Sequence, residues 1–164
     1  MRLRGFEPIN EDQFIKDVGG ITDYGCFYGN IKLPQRATQR SAGYDLFALL
    51  DFTLPPNGEM KIPTGIKMYC QPNEVLIILP RSSLGFKYFT RLANTAGVID
   101  SDYYENPDND GHIWVKVRNE GDKTLHIEKG MAFAQALFFP YLIADGDNYE
   151  EGATRNGGLG STSK

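Results

Sequence analysis

The sequence has few of the residues that build metal centres or disulfide frameworks. Its 164 residues include two cysteines and two histidines, and neither pair has the spacing of a metal-binding motif. A zinc site is therefore not expected. We interpret Cys26 and Cys70 as ordinary buried thiols of a protein kept in a reducing compartment, so the predicted location is cytoplasmic.

The chain also lacks a long apolar run and an excess of basic residues. No stretch approaches the roughly 18 apolar residues of a membrane span, so no membrane association is expected. A net charge of −4, from 17 basic and 21 acidic residues, disfavours stable binding to a nucleic-acid backbone. The common phosphate loop, serine-hydrolase elbow and His-Glu-x-x-His motif are absent as well.

Turn signals, in contrast, are dense. Eighteen glycines and nine prolines favour many short strands, and hence an all-β fold. We predict one domain, with an N-terminal appendage (1–30), a β-barrel core (31–144) and a mobile C-terminal arm (145–164). Runs of strand length lie at Gly43 to Leu50, Glu59 to Pro63, Gly65 to Cys70, Val75 to Leu79, Gly97 to Ile99, His112 to Val117, Thr124 to Ile127 and Ala132 to Phe139.

Two short helices interrupt this pattern. Asn10 can cap a helix that ends at Val18, and Phe14, Ile15 and Val18 are predicted to share its buried face. A second helix should open at Ser82, Ser83 and Gly85 and contain the apolar residues Phe86, Phe89 and Leu92.

Five short polar clusters carry the residue types that bind nucleotides. They are Ser41 to Leu46, Pro80 to Gly85, Asn94 to Tyr104, Lys129 to Gln135 and Arg155 to Thr162. In the second, an arginine fork and two hydroxyls precede a helix, which favours phosphate. The small hairpin of the third could hold a planar base and a sugar. Taken singly, each has a structural alternative, such as a turn cap, a solvated arginine or a disordered tail.

In order and content, the five clusters resemble those of the homotrimeric dUTP diphosphatases, the dUTPase family. The resemblance spans roughly Ile31 to Thr162, and the N-terminus with the segment Asp102 to Ile113 resembles forms from Gram-positive bacteria or their phages. It implies a distorted jelly-roll or β-barrel subunit, with three subunits sharing three active sites. It also implies hydrolysis of dUTP to dUMP and pyrophosphate with Mg²⁺, which keeps uracil out of DNA and supplies dUMP for thymidylate.

The resemblance also assigns roles to residues. Asp100 would activate the attacking water and Asp45 would support it. Mg²⁺ would be held by the triphosphate and waters rather than by a side chain, with Asp45 as an outer neighbour. Tyr103 would lie under the deoxyribose and exclude a 2′-hydroxyl. The other implied substrate-binding residues are Arg81, Ser82, Ser83, Gly85 and Gln135 for the phosphates, Asn94, Gly97, Val98 and Ile99 for uracil, and Arg155, Leu159, Gly160, Ser161 and Thr162 in the closing arm.

The sequence departs from the family pattern at two positions. Leu159 stands where an aromatic residue usually stacks on uracil, so we expect weaker closure of the arm and a lower Michaelis constant in Leu159→Phe. Glu105 stands where glycine is common, and a longer turn, Asn106 to Gly111, follows it. We expect this turn to be a solvated loop, with binding of a regulatory protein as the alternative.

Two other functions compete with this hypothesis. A dCTP deaminase shares the implied fold but needs an acid on the strand after the third cluster, and the stretch His112 to Arg118 has none. A non-catalytic trimer that binds a protein partner is the second alternative, and a regulatory role beside catalysis stays open. Trp114 is interpreted as a wall of the barrel or a subunit interface.

Overall fold

The structure is built from short strands joined by tight turns. The computed structural model describes residues 2–19, 28–147 and 152, and within these ranges it contains twelve strands and two α-helices. In chain order they are β1 (Gly5–Pro8), α1 (Glu11–Val18), β2 (Gln35–Arg36), β3 (Tyr44–Phe47), β4 (Phe52–Leu54), β5 (Glu59–Pro63), β6 (Ile66–Tyr69), β7 (Glu74–Pro80), α2 (Ser82–Tyr88), β8 (Thr90–Leu92), β9 (Gly97–Asp100), β10 (Trp114–Asn119), β11 (Leu125–Ile127) and β12 (Ala132–Pro140). The predicted all-β class is confirmed. Neither helix has the length and apolarity needed to cross a membrane.

The strands form four antiparallel sheets. The largest has the order β2-β3-β12-β7-β9, and a three-stranded sheet has the order β5-β10-β8. Two further pairs join β1 to β6 and β11 to β4. Because neighbours in the large sheet are mostly distant in sequence, residues from four of the predicted polar clusters meet on or beside it.

The core lies behind the large sheet and follows the two-residue period of its strands. Leu46, Leu76 and Ile78 are at most 1% exposed, whereas the residues that alternate with them face outward and are only partly buried. Burial of each such side chain contributes about 1.5–3 kcal/mol. The outward face of the same strands is therefore where the polar clusters can reach a ligand.

The N-terminal helix is capped as predicted and packs against the barrel. Asn10 Oδ1 accepts a hydrogen bond from the backbone N–H of Gln13 at 2.8 Å. Phe14 and Val18 are buried against Leu49 in a small apolar cluster. The prediction for Ile15 was wrong, since it is 59% exposed. It follows Phe14 directly, and consecutive helical residues do not share a face.

The second helix is confirmed at its start but is shorter than predicted. Phe89 adopts a positive φ of 52°, and its N–H closes the helix on Gly85 O at 3.0 Å. Leu92 lies beyond it in β8, where it pairs with Val117 of β10. Placing Phe89 and Leu92 in the helix was therefore wrong, because the helix ends before Phe89 and the following residues, Thr90–Leu92, pair with β10 as a strand.

Candidate active site

Residues from three of the predicted clusters line one polar cleft beside the large sheet. The cleft has a volume of about 510 Å³, and its charged and amide side chains are Asp45, Arg81 and Gln135. The hydroxyls of Ser82 and Ser83, at the start of α2, lie on its rim and are exposed. We call this group of five residues the polar cleft.

The arginine in the polar cleft is held in place by two neighbours. Arg81 Nε lies 3.0 Å from Asp45 Oδ1, and its terminal nitrogen donates to the Ala132 carbonyl at 3.3 Å. Guanidinium has five N–H donors in a rigid fork, so these contacts orient the group and leave donors for a ligand. The Arg81 side chain is 33% exposed, which gives an anion access to it.

The amide of Gln135 is fixed by strand register. Gln135 lies directly opposite Asp45 in β3 and Leu79 in β7, and its Nε2 donates to the Pro80 carbonyl at 2.9 Å. Gly43 leaves room for this amide, because a Cβ on Gly43 would lie 2.7 Å from Gln135 Oε1. A glycine at position 43 is therefore needed to keep the Gln135 amide in the cleft. The sequence alone does not reveal this requirement, because it arises from a contact with a distant residue.

The third cluster lines a separate cavity, the hairpin pocket. This pocket has a volume of about 320 Å³ and is lined mainly by apolar atoms. Its lining includes the predicted residues Asn94, Gly97, Val98 and Ile99. Gly97 pairs with Ile78, and a Cβ there would lie 3.2 Å from Ile78 Cβ, so a small residue keeps the floor of the pocket open.

Sequence reasoning missed several residues of the hairpin pocket, and two of them can contact a ligand ring or charge. Trp114 and Lys61 also line it, and Lys61 Nζ lies 4.4 Å from the centre of the Trp114 ring. A single tryptophan in a strand was the only signal, and it favoured a structural wall. Trp114 can serve as a wall of the pocket as well.

Asp100 and Tyr103 follow the hairpin pocket in the chain without lining it. Asp100 ends β9 and is exposed, and Tyr103 closes the 3-10 turn Ser101–Tyr103 with 9% exposure. Gly85, in the middle of α2, lines neither cavity. Arg155, Leu159, Gly160, Ser161 and Thr162 lie outside the described residues.

The two predicted carboxylates are far apart within one chain. Asp45 on β3 and Asp100 on β9 are separated by β12 and β7. Asp45 lies opposite Gln135 of β12, which in turn lies opposite Leu79 of β7. Asp100 lies opposite Val75 of β7, four residues from Leu79. Three steps of about 4.8 Å across the sheet and four rises of about 3.3 Å along the strands place the two backbones about 20 Å apart. The structure therefore does not bring all the predicted site residues together in one chain.

The loop after Tyr103 differs from its prediction. Asn106 is 4% exposed, and the side chain of Asp110 is 13% exposed. Lys67 Nζ lies 3.0 Å from both Asp110 Oδ1 and Glu105 Oε1. The interpretation as a solvated loop holds for Pro107 and Asp108, which are exposed, but was wrong for Asn106 and Asp110, because side-chain amides and an ion-pair network tie these two residues to the barrel.

The protein donors suit a metal carried by a ligand rather than by the protein. Among the described residues, no three His, Cys, Asp or Glu side chains are grouped to hold a metal ion. In the polar cleft the single carboxylate, Asp45, already has one oxygen paired with Arg81. Oxygen atoms of a bound ligand and of water would therefore have to supply most of the ligands of a Mg²⁺ ion at this site.

Known proteins resemble this chain over nearly its whole length. Residues 29–163 match the family model described as dUTPase. The chain is 44% identical over 163 residues to the deoxyuridine 5′-triphosphate nucleotidohydrolase of Lactococcus lactis, and 99% of each chain is covered. The crystal structure of dUTPase from Streptococcus mutans is 39% identical with a TM-score of 0.68, covering 87% of this chain and 99% of that one. A mutant dUTPase from phage phi11 of S. aureus, whose structure details the coordination of a structural Mg(II) ion, shares the fold at 17% identity and a TM-score of 0.64, with 92% of this chain and 98% of that one covered.

Proposed function

The chain belongs to the dUTPase family and is a dUTP diphosphatase, and from this premise we propose how its residues divide the reaction. Its likeness to the Lactococcus and Streptococcus proteins agrees with the predicted Gram-positive type. The observation that carries the assignment is the polar cleft, in which Arg81 is oriented by Asp45 at 3.0 Å.

The triphosphate occupies the polar cleft. Arg81 supplies the remaining donors of its fork, and the hydroxyls of Ser82 and Ser83 and the amide of Gln135 add neutral hydrogen bonds. Donors that are already oriented stabilise the negative charge that develops on the leaving pyrophosphate without reorganising. Gly85 lies in the short helix that carries both serines.

The uracil occupies the hairpin pocket. The Asn94 amide and the backbone from Gly97 to Asp100 read the edge of the base, while Val98 and Ile99 provide apolar contact. The preference for uracil over thymine requires this lining to exclude a 5-methyl group. Tyr103 lies against the deoxyribose and excludes a 2′-hydroxyl, because a hydroxyl in an apolar wall loses its hydrogen bonds to water.

Asp100 is the proposed general base. It accepts a proton from the attacking water, whose oxygen forms a bond to the α-phosphorus while the bond from that phosphorus to the bridging oxygen breaks. The products are dUMP and pyrophosphate. Mg²⁺ held by the triphosphate would neutralise part of its charge, and Asp45, which holds Arg81 in place, would lie near it.

The distance between the two carboxylates favours a site made from more than one chain. Asp45 and Asp100 are about 20 Å apart within a subunit, too far to act on the same α-phosphate. We infer a homotrimer in which the hairpin pocket of one subunit faces the polar cleft of the next. The outward face of the large sheet supports this, because it exposes 58% of Val98 and 44% of Phe139.

The remaining parts of the chain follow from this assignment. Residues 31–144 form the barrel of a single domain, and the C-terminal segment supplies Arg155, Leu159, Gly160, Ser161 and Thr162 to close over the bound nucleotide. A cytoplasmic location agrees with the free thiol of Cys70.

The reaction is tested by pyrophosphate release from dUTP with Mg²⁺, run beside dTTP, dCTP and UTP. We expect release from dUTP alone, lost in Asp100→Asn and kept in Asp102→Asn, the exposed neighbour in the same turn. Ammonia from dCTP, or full activity in Asp100→Asn, would contradict the assignment.

The shared site is tested by mixing two inactive variants. Asp100→Asn damages one half of the site and Arg81→Ala the other. After subunit exchange, a trimer of mixed composition has one interface with both halves intact, so about a quarter of the wild-type sites should return. No recovery in subunits shown to have exchanged would place each site within one chain.

A further inference from the structure

The hydroxyl of Tyr103 is held on two sides. It donates to the His112 carbonyl at 3.1 Å and accepts from Nδ2 of Asn109 at 2.8 Å. A ring whose hydroxyl is fixed at both donor and acceptor cannot slide in its own plane without losing a hydrogen bond in a buried position.

Asn109 is itself held by a second amide. Its Oδ1 accepts from Nδ2 of Asn106 at 2.8 Å, which fixes which end of the Asn109 amide faces Tyr103. Asn106 also donates to the Tyr103 carbonyl at 3.0 Å, and its Oδ1 accepts the N–H groups of Asp108 and Asn109 at 3.1 and 3.2 Å. The loop is therefore hydrogen-bonded to Tyr103 at two places, through Asn106 to its carbonyl and through Asn109 to its hydroxyl.

The end of this loop is anchored to the barrel and the N-terminal segment. The Asp110 carboxylate accepts from Lys67 Nζ at 3.0 Å and from the backbone N–H of Asn10 at 2.6 Å. Gly111 follows with φ +75°, and a Cβ there would lie 2.8 Å from the Tyr103 carbonyl. The backbone at Gly111 is consequently too close to the Tyr103 carbonyl for a side chain to fit, and the loop has little freedom to move away from Tyr103.

We propose that Asn109 is a positioning residue for sugar selection: its amide, fixed by Asn106, holds the Tyr103 ring where it excludes a 2′-hydroxyl. The proposal rests on the assignment of Tyr103 to the deoxyribose under the proposed function. A sugar wall discriminates only if it cannot yield, since a ring free to shift would make room for the extra oxygen. The loop that replaces the usual tight turn thus acts on specificity.

The test is the ratio of kcat/KM for dUTP to kcat/KM for UTP. In Asn109→Ala we expect this ratio to fall about fivefold, the equivalent of one neutral hydrogen bond, with kcat for dUTP changed less than KM. The ratio does not depend on the fraction of folded enzyme, so general destabilisation would leave it unchanged. Asp108→Ala is the matched control. Asp108 is exposed, and the hydrogen bonds of its backbone N–H and carbonyl are kept when its side chain is removed, so this variant should keep the parent ratio.

Tyr103→Phe removes the other partner of this contact, together with the bond of the hydroxyl to the His112 carbonyl, while every loop side chain is kept. It should lower the ratio as Asn109→Ala does, and the double variant should fall no further than about twofold below either single one. An unchanged ratio in either single variant, or fully additive losses in the double variant, would overturn the proposal. If Asn109→Ala does not fold, Tyr103→Phe decides alone. A parent protein without dUTP hydrolysis would instead refute the proposed function.

Discussion

Asp17 in α1 accepts a hydrogen bond from His112, a residue 95 positions later, with 2.6 Å between Oδ2 and Nδ1. The other ring nitrogen, Nε2, accepts the backbone N–H of Gly65 at 2.9 Å. Because Nε2 accepts, the neutral ring carries its proton on Nδ1. His112 is completely buried, so a second proton would break the bond to Gly65 in a place that water cannot reach.

This contact predicts how stability depends on pH. Burial lowers the pKa of His112 below its ordinary value of 6.5, although the Asp17 carboxylate opposes the shift. Below about pH 6.5 the unfolded chain therefore binds a proton that the folded chain does not, and the free energy of unfolding decreases as the pH falls towards the folded pKa. Above that pH this contribution stays constant.

Denaturant unfolding between about pH 5 and 8 measures the effect. His112→Gln should flatten the profile in this window, whereas His126→Gln, at an exposed position of β11, should keep it. A profile in His112→Gln that matches the parent would assign the pH dependence to other groups.

Lys67 should matter more for stability than a lysine paired at the surface. Its side chain is 8% exposed, and although burial by itself lowers the pKa of Lys67, the hydrogen bonds that it donates to Glu105 and Asp110 raise the pKa, so Lys67 stays charged. Lys67→Met leaves both carboxylates without their cation and should cost about 2 kcal/mol. Lys116→Met, which removes an exposed pair with Glu59, should cost less than about 1 kcal/mol. Equal losses, measured by urea unfolding, would show that burial of Lys67 adds nothing.

Gly43→Ala should impair catalysis more than folding. The new methyl would meet Gln135 Oε1 at 2.7 Å and push the amide away from the phosphates. We expect kcat/KM for dUTP to fall about tenfold, because a side chain displaced by roughly 1 Å no longer forms its hydrogen bond to the substrate in the geometry of the transition state. Gly29→Ala is the control, since nothing lies within 4 Å of that added Cβ. Unimpaired activity in Gly43→Ala would mean that Gln135 does not contact substrate.

Arg81→Lys should lower kcat/KM about 100-fold despite conserving the charge. Lysine cannot pair with Asp45, reach the Ala132 carbonyl and face the triphosphate together, whereas the guanidinium fork can. Arg91→Lys makes the same change at a side chain that is 71% exposed and paired with Glu120, and it should have little effect. Steady-state kinetics of the two variants compare them directly, and similar values would refute the role of the fork.

The elements with a clear local signal were predictable from the sequence. Val75 to Leu79 is an apolar run of strand length between turn signals and lies within β7, and the Asn10 cap is confirmed. The strands β2, β4 and β8 have two or three residues each, too few to show a period, and they form because partners elsewhere in the chain pair with them.

By itself, the sequence determined the chemical inventory of the site: an arginine with two serines, a glutamine, two carboxylates and a small hairpin, in a recognisable order. Only the tertiary structure decided that Gln135 lies opposite Asp45, that Asp100 lies about 20 Å away, and that Asn106 in the loop after Tyr103 is buried. The reason is physical. Residue type and local period are properties of neighbours in the chain, whereas sheet order, register and burial arise from pairings between distant segments, which no local pattern specifies.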